Sequence, residues 1–178
     1  MRIISGSHKG HVIRPPRGLP IRPTTDRSKE SLFNILNNRF DFEESDALDL
    51  FSGGGSVSLE FCSRGVRSLV SVDRFPGCVN YVKSESTNLG FDMITVVKAD
   101  VMQYIRNTTD TFDIIFCDAP YSWTEYEIMI RIILDRGLLN KGGELIVEHH
   151  SVKNFDTFPE IIDKRAYGQN VLSFFGTP

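Results

Sequence analysis

Asp118, Ala119, Pro120 and Tyr121 follow the buried-strand run Phe112–Phe116, so an acid, a rigid imino acid and an aromatic ring meet at a strand's end. Proline pushes the residue before it out of the helical region, which holds the Ala119 backbone extended. Asp118 and the Ala119 carbonyl can then accept both protons of an exocyclic amine, while Tyr121 can stack on the face of a flat ring. Those parts suit methyl transfer to a nucleobase nitrogen. An Asp-x-Pro sequence also ends strands for turn chemistry alone, so the rest of the chain must decide.

Three further acids, Asp49, Asp73 and Asp100, stand at or just beyond the ends of three earlier strand-like runs. After Asp49 comes Leu50-Phe51-Ser52-Gly53-Gly54-Gly55-Ser56, a turn whose glycines allow close approach of a ligand. No Gly-Lys-Ser/Thr follows, which excludes a phosphate-binding loop of the nucleoside-triphosphatase kind. A dinucleotide site remains open, because Asp73 lies twenty residues after Gly53 and could hold a ribose hydroxyl. Against that reading, the Asp49 carboxylate is awkward beside a pyrophosphate and useful beside a sulfonium and an ammonium. The sequence therefore favours S-adenosylmethionine, with Asp49 beside the sulfonium and ammonium and Phe51, Gly53, Gly55 and Val101 among the cofactor-binding residues. Asp73 would take the ribose diol, and Asp100 the adenine amino group. Each acid alone has a plain structural use: Asp100, for one, suits the N-cap of a helix beginning at Val101. All of them in register with Asp118 are harder to explain that way.

The elements that must position these residues alternate. Strands are predicted at Asp46–Phe51, Ser68–Asp73, Met93–Lys98, Phe112–Cys117 and Glu144–His149, the last entered through a Gly142-Gly143 turn. Helices are predicted at Arg27–Asn38 (capped from Thr24-Thr25-Asp26), Ser56–Ser63, Pro76 to about Leu89, Val101–Arg106 and Glu125–Arg136. That alternation implies a parallel α/β sheet with helices on both faces. Ile161–Tyr167 and Val171–Gly176 lack a helix between them, so they should add an antiparallel hairpin at the edge. Arg2–Ser5 and His11–Arg14 read as a short β-hairpin arm.

At 178 residues, 40% of them hydrophobic and 24% charged, the chain suits one folded domain. We divide it into a basic N-terminal arm, 1–22, and a catalytic core, 23–178. No apolar run approaches a membrane span, the start is too quickly polar for a signal peptide, and three scattered cysteines suggest reduced thiols. A cytoplasmic location is expected. Net charge is −3, but residues 1–39 carry eight Lys/Arg against two acids while the remainder nets −9. Such a basic segment on an acidic body fits a local phosphate-binding footprint. Arg2, Lys9, Arg14 and Arg22 are the candidate phosphate contacts. Arg27 could touch RNA, touch the cofactor carboxylate or pair with Glu30. Trp123 could line a base pocket or cover the sheet edge. His149 and His150 project to opposite faces of one strand and cannot share a metal.

The chain resembles the bacterial 16S rRNA guanine-N2 methyltransferases of the RsmD type. The likeness is carried by Arg2-Ile3-Ile4-Ser5-Gly6, Arg22-Pro23-Thr24-Thr25-Asp26-Arg27, Asp49-Leu50-Phe51-Ser52-Gly53, Glu60, Ser63-Arg64-Gly65, Asp118-Ala119-Pro120-Tyr121 and Glu148-His149. The resemblance implies a Rossmann-like class I methyltransferase fold with seven strands, S-adenosylmethionine as cofactor, no metal, and one guanine of 16S rRNA as substrate. We expect the RNA within a small subunit or assembly intermediate, and the enzyme to be a monomer. Two positions depart from the family. Ala119 stands where relatives usually have a second proline, which should soften the loop while keeping the carbonyl. Ser58 stands where relatives often have glycine, which should loosen packing slightly. Other readings stay open at this point: methylation of another planar amine (DNA adenine or a protein), an NAD-dependent oxidoreductase, or a non-catalytic RNA-binding protein.

Overall fold

A computed structural model describes residues 1–21 and 26–176. Strands β1 (Asp46–Leu50), β2 (Ser68–Asp73), β3 (Ile94–Lys98), β4 (Phe112–Asp118), β5 (Leu139–His150), β6 (Ile161–Tyr167) and β7 (Asn170–Gly176) form one sheet, ordered β3-β2-β1-β4-β5-β7-β6. The first five strands run parallel, and β7 is antiparallel to both β5 and β6. Strand order reverses between β1 and β4, and in such sheets ligands lie beyond the carboxyl ends at that reversal. The central strands are apolar on both faces because helices cover both.

Helices α1 (Asp26–Asn37) and α2 (Ser56–Ser63) pack on the face carrying Ile114, Phe116, Ile146 and Leu172. Helix α3 (Pro76–Asn88) sets Val79 and Val82 against Val96. The opposite face, with Leu48, Ile115 and Val147, is covered by α4 (Val101–Asn107) and α5 (Tyr126–Asp135). The direction of α1 bears on the site. Beyond its C-terminal end, Arg39 bonds Glu144 at 2.8 Å and Asp163 at 2.5 Å, at the end of the sheet far from the switch-point acids. Near its N-terminal end, Lys29 reaches Ser56. The helix start therefore lies at the carboxyl end of the sheet. The expected caps Thr24 and Thr25, and Arg22, lie outside the described residues.

One expectation needs correction. Gly142-Gly143 is not a turn before β5, because the strand already begins at Leu139. Gly142 has φ +79°, and the pairing with β4 shifts between Phe112 and Ile114, so the glycines form an irregularity inside the strand. A Cβ on Gly143 would stand 3.0 Å from the Phe112 and Asp113 carbonyls, so the backbones approach closely there. The N-terminal hairpin, for its part, is tied by bonds such as Ile3 N–H to His11 O and Ile13 N–H to Met1 O (both 2.9 Å), with one bridged pair, Arg2 and Val12.

That hairpin is docked on the core. Ile3 and Ile13 are buried, and Glu60 Oε2 and Oε1 accept the amides of Ile4 and Ser5 at 2.7 and 3.0 Å. Lys29 and Glu60 are both buried, 3.4 Å apart, and Lys29 also donates to the Arg2 carbonyl at 2.6 Å. Burial pushes the Lys29 ammonium below its ordinary value, and Glu60 opposes that shift. Lys29, counted with the basic footprint, is thus a buried tie between α1, α2 and the hairpin. Among the described residues no helix is long and apolar enough to cross a membrane.

Candidate functional site

The carboxyl ends of β1, β2 and β4 and the starts of α2 and α4 surround a cavity of about 200 Å³. Asp49, Phe51, Gly53, Asp73, Asp100, Val101, Asp118, Ala119 and Pro120 all line it. One cleft therefore gathers the cofactor candidates and the acceptor loop, from four strand ends separated by up to about seventy residues. Gly55 and Tyr121 do not line it. Gly55 has φ +73°, and a Cβ there would meet Val82 at 2.8 Å, so its task is to seat α2 against α3.

Asp49 is 2% exposed, and Ser58 donates to its Oδ2 at 2.5 Å. Burial pushes its carboxyl up to about 7; the Ser58 bond opposes this, while the negative charges of Asp118 and Asp73 add to it. Ser58 does not loosen the loop as expected. It is fully buried and pairs with Ser71 Oγ at 2.9 Å as well as with Asp49, a bond that glycine could not make. Asp73 Oδ2 accepts the Gly53 amide at 2.8 Å, bracing the glycine turn, and its Oδ1 accepts that of Phe75. Asp100 caps α4 through Oδ1, which takes the amides of Met102 and Gln103 at 3.0 and 3.2 Å. The amide of Val101, first in that helix, is not among those it caps.

Sequence reasoning missed several features of this cleft. Met1, Pro20 and Ile21 from the N-terminal segment line it, so that segment walls the cofactor side as well as carrying charge. A Cβ on Gly53 or Gly54 would stand 3.3 Å from Ile21, so the strap lies directly on the glycine turn. Arg74 and the half-exposed Phe75 line the side next to Asp73. Phe51 holds φ +62°, an uncommon conformation for a bulky side chain. Its ring packs edge-on against Trp123, centroids 5.0 Å apart. Trp123 in turn meets Tyr126 at 5.0 Å, so it braces the acceptor loop from outside the cleft.

In that loop the Trp123 amide donates to the Pro120 carbonyl at 2.8 Å, closing a turn, and Tyr126 Oη donates to the Ala119 carbonyl at 3.2 Å. A carbonyl has two lone pairs, so Ala119 can accept a second proton while the first bond holds its direction. Asp118 is the last residue of β4 and is half-buried. Tyr121 is 49% exposed, with Oη bonded to Asn170 at 2.7 Å and its ring edge-on to His150 at 5.6 Å. His149 faces the other way, buried against Phe155 and bonded to Ser173, as the opposite-face expectation requires.

The basic candidates are spread along the N-terminal segment. Arg2, Lys9, Arg14 and Arg27 are exposed, and Arg2 bonds Asp26 at 2.8 Å across the hairpin and α1. Arg27 sits in the first turn of α1 and makes no ion pair with Glu30.

The cleft suits a cationic nucleoside with polar ends. Ser52 Oγ lines it, buried and without a hydrogen-bond partner among the described residues. An unmet buried hydroxyl costs about 1–3 kcal/mol, which a polar ligand group would relieve. Asp73 and Asp100 stand along the cleft, and Phe75 offers an aromatic surface beside them.

The chain is similar to known proteins over nearly its full length. The family described as Conserved hypothetical protein 95 matches residues 1–176. The chain is 33% identical to YlbH of Bacillus subtilis over 182 residues, covering 98% of each chain. It is 30% identical over 161 residues to the ribosomal RNA small subunit methyltransferase D of Escherichia coli, covering 89% of this chain and 79% of that one. A solved Thermus thermophilus structure superposes with a TM-score of 0.86 at 26% identity, covering 99% of both chains.

Proposed function

Because the chain belongs to the Conserved hypothetical protein 95 family, the RsmD type of ribosomal RNA methyltransferases, we propose that it methylates the exocyclic N2 amine of one guanine in 16S rRNA. The family establishes the coarser statement, S-adenosylmethionine-dependent methylation of ribosomal RNA, and removes the oxidoreductase alternative. The observation that carries the finer reading is the sharing of one cleft by Asp118, Ala119 and Pro120 with Asp49, Asp73 and Asp100.

Bound in that cleft, S-adenosylmethionine supplies a methyl group already activated on a sulfonium. Asp49 lies where a carboxylate meets the sulfonium and ammonium, Asp73 takes the ribose, and Asp100 Oδ2 with the Val101 amide takes the adenine edge. Asp118 and the Ala119 carbonyl each accept one proton of the guanine amine. That grip favours a pyramidal nitrogen whose lone pair points into the cleft, against its delocalisation into the ring. The rate gain then comes chiefly from positioning. Tyr126 holds the Ala119 carbonyl and Pro120 keeps Ala119 extended, so the acceptor direction is set before the base arrives. Tyr121 offers an exposed ring on which an extruded base can stack.

The start of α1, where Arg2 bonds Asp26, lies at the carboxyl end of the sheet, so Arg2 and Arg27 would meet phosphates flanking the extruded base. Lys9 stands at the hairpin tip, which docks on Ser63 at the C-terminal end of α2, so it would meet phosphates farther along the RNA, and Arg14 and Arg22 complete the proposed contacts. Such contacts position RNA without reading its sequence. A short basic segment is little surface for naked RNA, so the substrate is a partly assembled small subunit. Transfer of labelled methyl to small subunits lacking the modification, compared with protein-free rRNA, tests this. Strong preference for the particle is expected, and equal rates would overturn the assembled-substrate reading. Loss of transfer in Asp118→Ala with cofactor binding intact is expected; full activity would overturn the acceptor-loop assignment.

A further inference from the structure

We infer that the turn after β5, residues 150–153, is a second grip on the RNA, with the Lys153 ammonium on a backbone phosphate and the His150 imidazole donating beside it. The inference rests on the reading above that an extruded base of ribosomal RNA enters the acceptor loop. Among the described residues, none of β5 or β7 lines the cofactor cleft, although β5 pairs with β4 as far as Asp118 and Glu148. The turn that leaves β5 therefore stands beside the acceptor loop, on the side away from the cofactor. The Lys153 ammonium lies over the Tyr126 ring, 5.6 Å from its centroid, and Tyr126 is the residue that holds the Ala119 carbonyl. The His150 ring meets that of Tyr121 at 5.6 Å.

Hydrogen bonds and packing fix this turn. The Ser151 amide donates to the Gln169 carbonyl and the Lys153 amide to the His150 carbonyl, both at 2.9 Å, and Phe155 and Phe158 anchor the chain that follows in the core. The groups it presents outward are ones that RNA can use. Lys153 meets no carboxylate at ion-pair distance among the described residues, whereas Arg131, Lys164 and Arg165 nearby in the chain pair with Glu160, Asp156 and Asp163. The Val152 amide donates to His150 Nδ1 at 3.2 Å, so Nε2 carries the ring proton, and Nε2 has no partner among the described residues. Val152 itself is 79% exposed, an apolar tip on which a ribose can pack.

An extruded nucleotide keeps a phosphate on either side of it, and the Asp118 carboxylate repels both, so cations are needed on both flanks. Phe155, Phe158 and Tyr126 pack with Ile115 and Val147, on the opposite face of the sheet from α1. Arg2 and Arg27 at the start of α1 hold one flank, and Lys153 holds the other. The RNA thus crosses the carboxyl edge of the sheet gripped from both faces.

Small subunits lacking the modification would be titrated with the protein at several salt concentrations, with S-adenosylhomocysteine filling the cofactor cleft so that no turnover occurs. Lys153→Gln keeps the stem over Tyr126 and removes the charge. It should weaken binding about tenfold at fixed salt and make the slope of log K against log salt shallower by about 0.7–1, with affinity for S-adenosylhomocysteine unchanged. Lys153→Arg should restore both. His150→Phe keeps a ring beside Tyr121, loses the donor, and should weaken binding about fivefold at unchanged slope. Unchanged affinity and slope in Lys153→Gln would overturn the inference. So would a loss of affinity at unchanged slope in that variant, which would seat a protein surface on the turn instead of RNA. A loss of methyl transfer with binding and slope unchanged would leave Lys153 a brace for Tyr126 and overturn it too. Failure of the unaltered enzyme to methylate the subunits would overturn the rRNA reading itself.

Discussion

Asp49→Asn separates what this carboxylate costs the fold from what it gives the cofactor. Its folded-state pKa, about 7, lies above the ordinary 3.8 because burial disfavours the charge, and Asp118 and Asp73 add repulsion. A raised carboxyl means that the folded state resists ionisation. The penalty is absent below about pH 4, grows as pH rises towards 7, and is complete above it. About three pH units at about 1.4 kcal/mol each give about 4 kcal/mol. The asparagine variant has no such penalty, so its unfolding free energy relative to the unaltered protein should rise by up to about 4 kcal/mol between pH 4 and pH 8. Urea unfolding of both proteins across that range measures the difference, in which groups that do not interact with Asp49 cancel. Cofactor binding should run the opposite way. A cation wants Asp49 ionised, so affinity for S-adenosylmethionine should increase by up to about tenfold per pH unit below 7 and be flat in the variant. A stability difference that is the same at pH 5 and pH 8 would refute the reasoning.

Other perturbations probe the hairpin and the loop. Gly6 has φ +85°, and a Cβ there would stand 1.8 Å from the Ser63 carbonyl oxygen. Gly6→Ala should cost at least about 2 kcal/mol in urea unfolding and speed proteolysis of the N-terminal segment; unchanged values would show that the hairpin is not docked there. Glu60→Ala leaves the Lys29 ammonium buried without its counter-ion and should cost about 3–5 kcal/mol by the same measurement. Tyr126→Phe removes the bond to the Ala119 carbonyl, worth about 1 kcal/mol, and should lower kcat up to about tenfold with KM for cofactor unchanged.

The sheet and its switch point were legible because parallel strands read as apolar runs, and each relevant run ended on an acid that the fold brings to one cleft. The acceptor loop was legible because Pro120 constrains its neighbour locally. What escaped the sequence depended on contacts between distant residues, such as Asn170 with Tyr121, forty-nine positions apart. Lys29 escaped for a different reason, since a charge was assumed to be solvated. Yet Lys29, Leu32, Phe33 and Leu36 follow the i, i+3, i+4, i+7 spacing of a buried helix face. Tyr126, Met129, Ile130 and Ile133 follow it too, which could have shown that the Tyr126 hydroxyl needs an internal partner. Gly142-Gly143 was misread because glycine pairs mark bulges as readily as turns, and the hydrophobic pattern before them was too short to reveal a strand.

The central claim concerns the atom that receives the methyl group. Small subunits lacking the modification would be incubated with labelled S-adenosylmethionine and the protein, and the rRNA digested to nucleosides for mass spectrometry. The label should appear in N2-methylguanosine alone and vanish with Asp118→Ala. Label in any other nucleoside, or N2-methylguanosine formed equally by the Asp118 variant, would contradict the account.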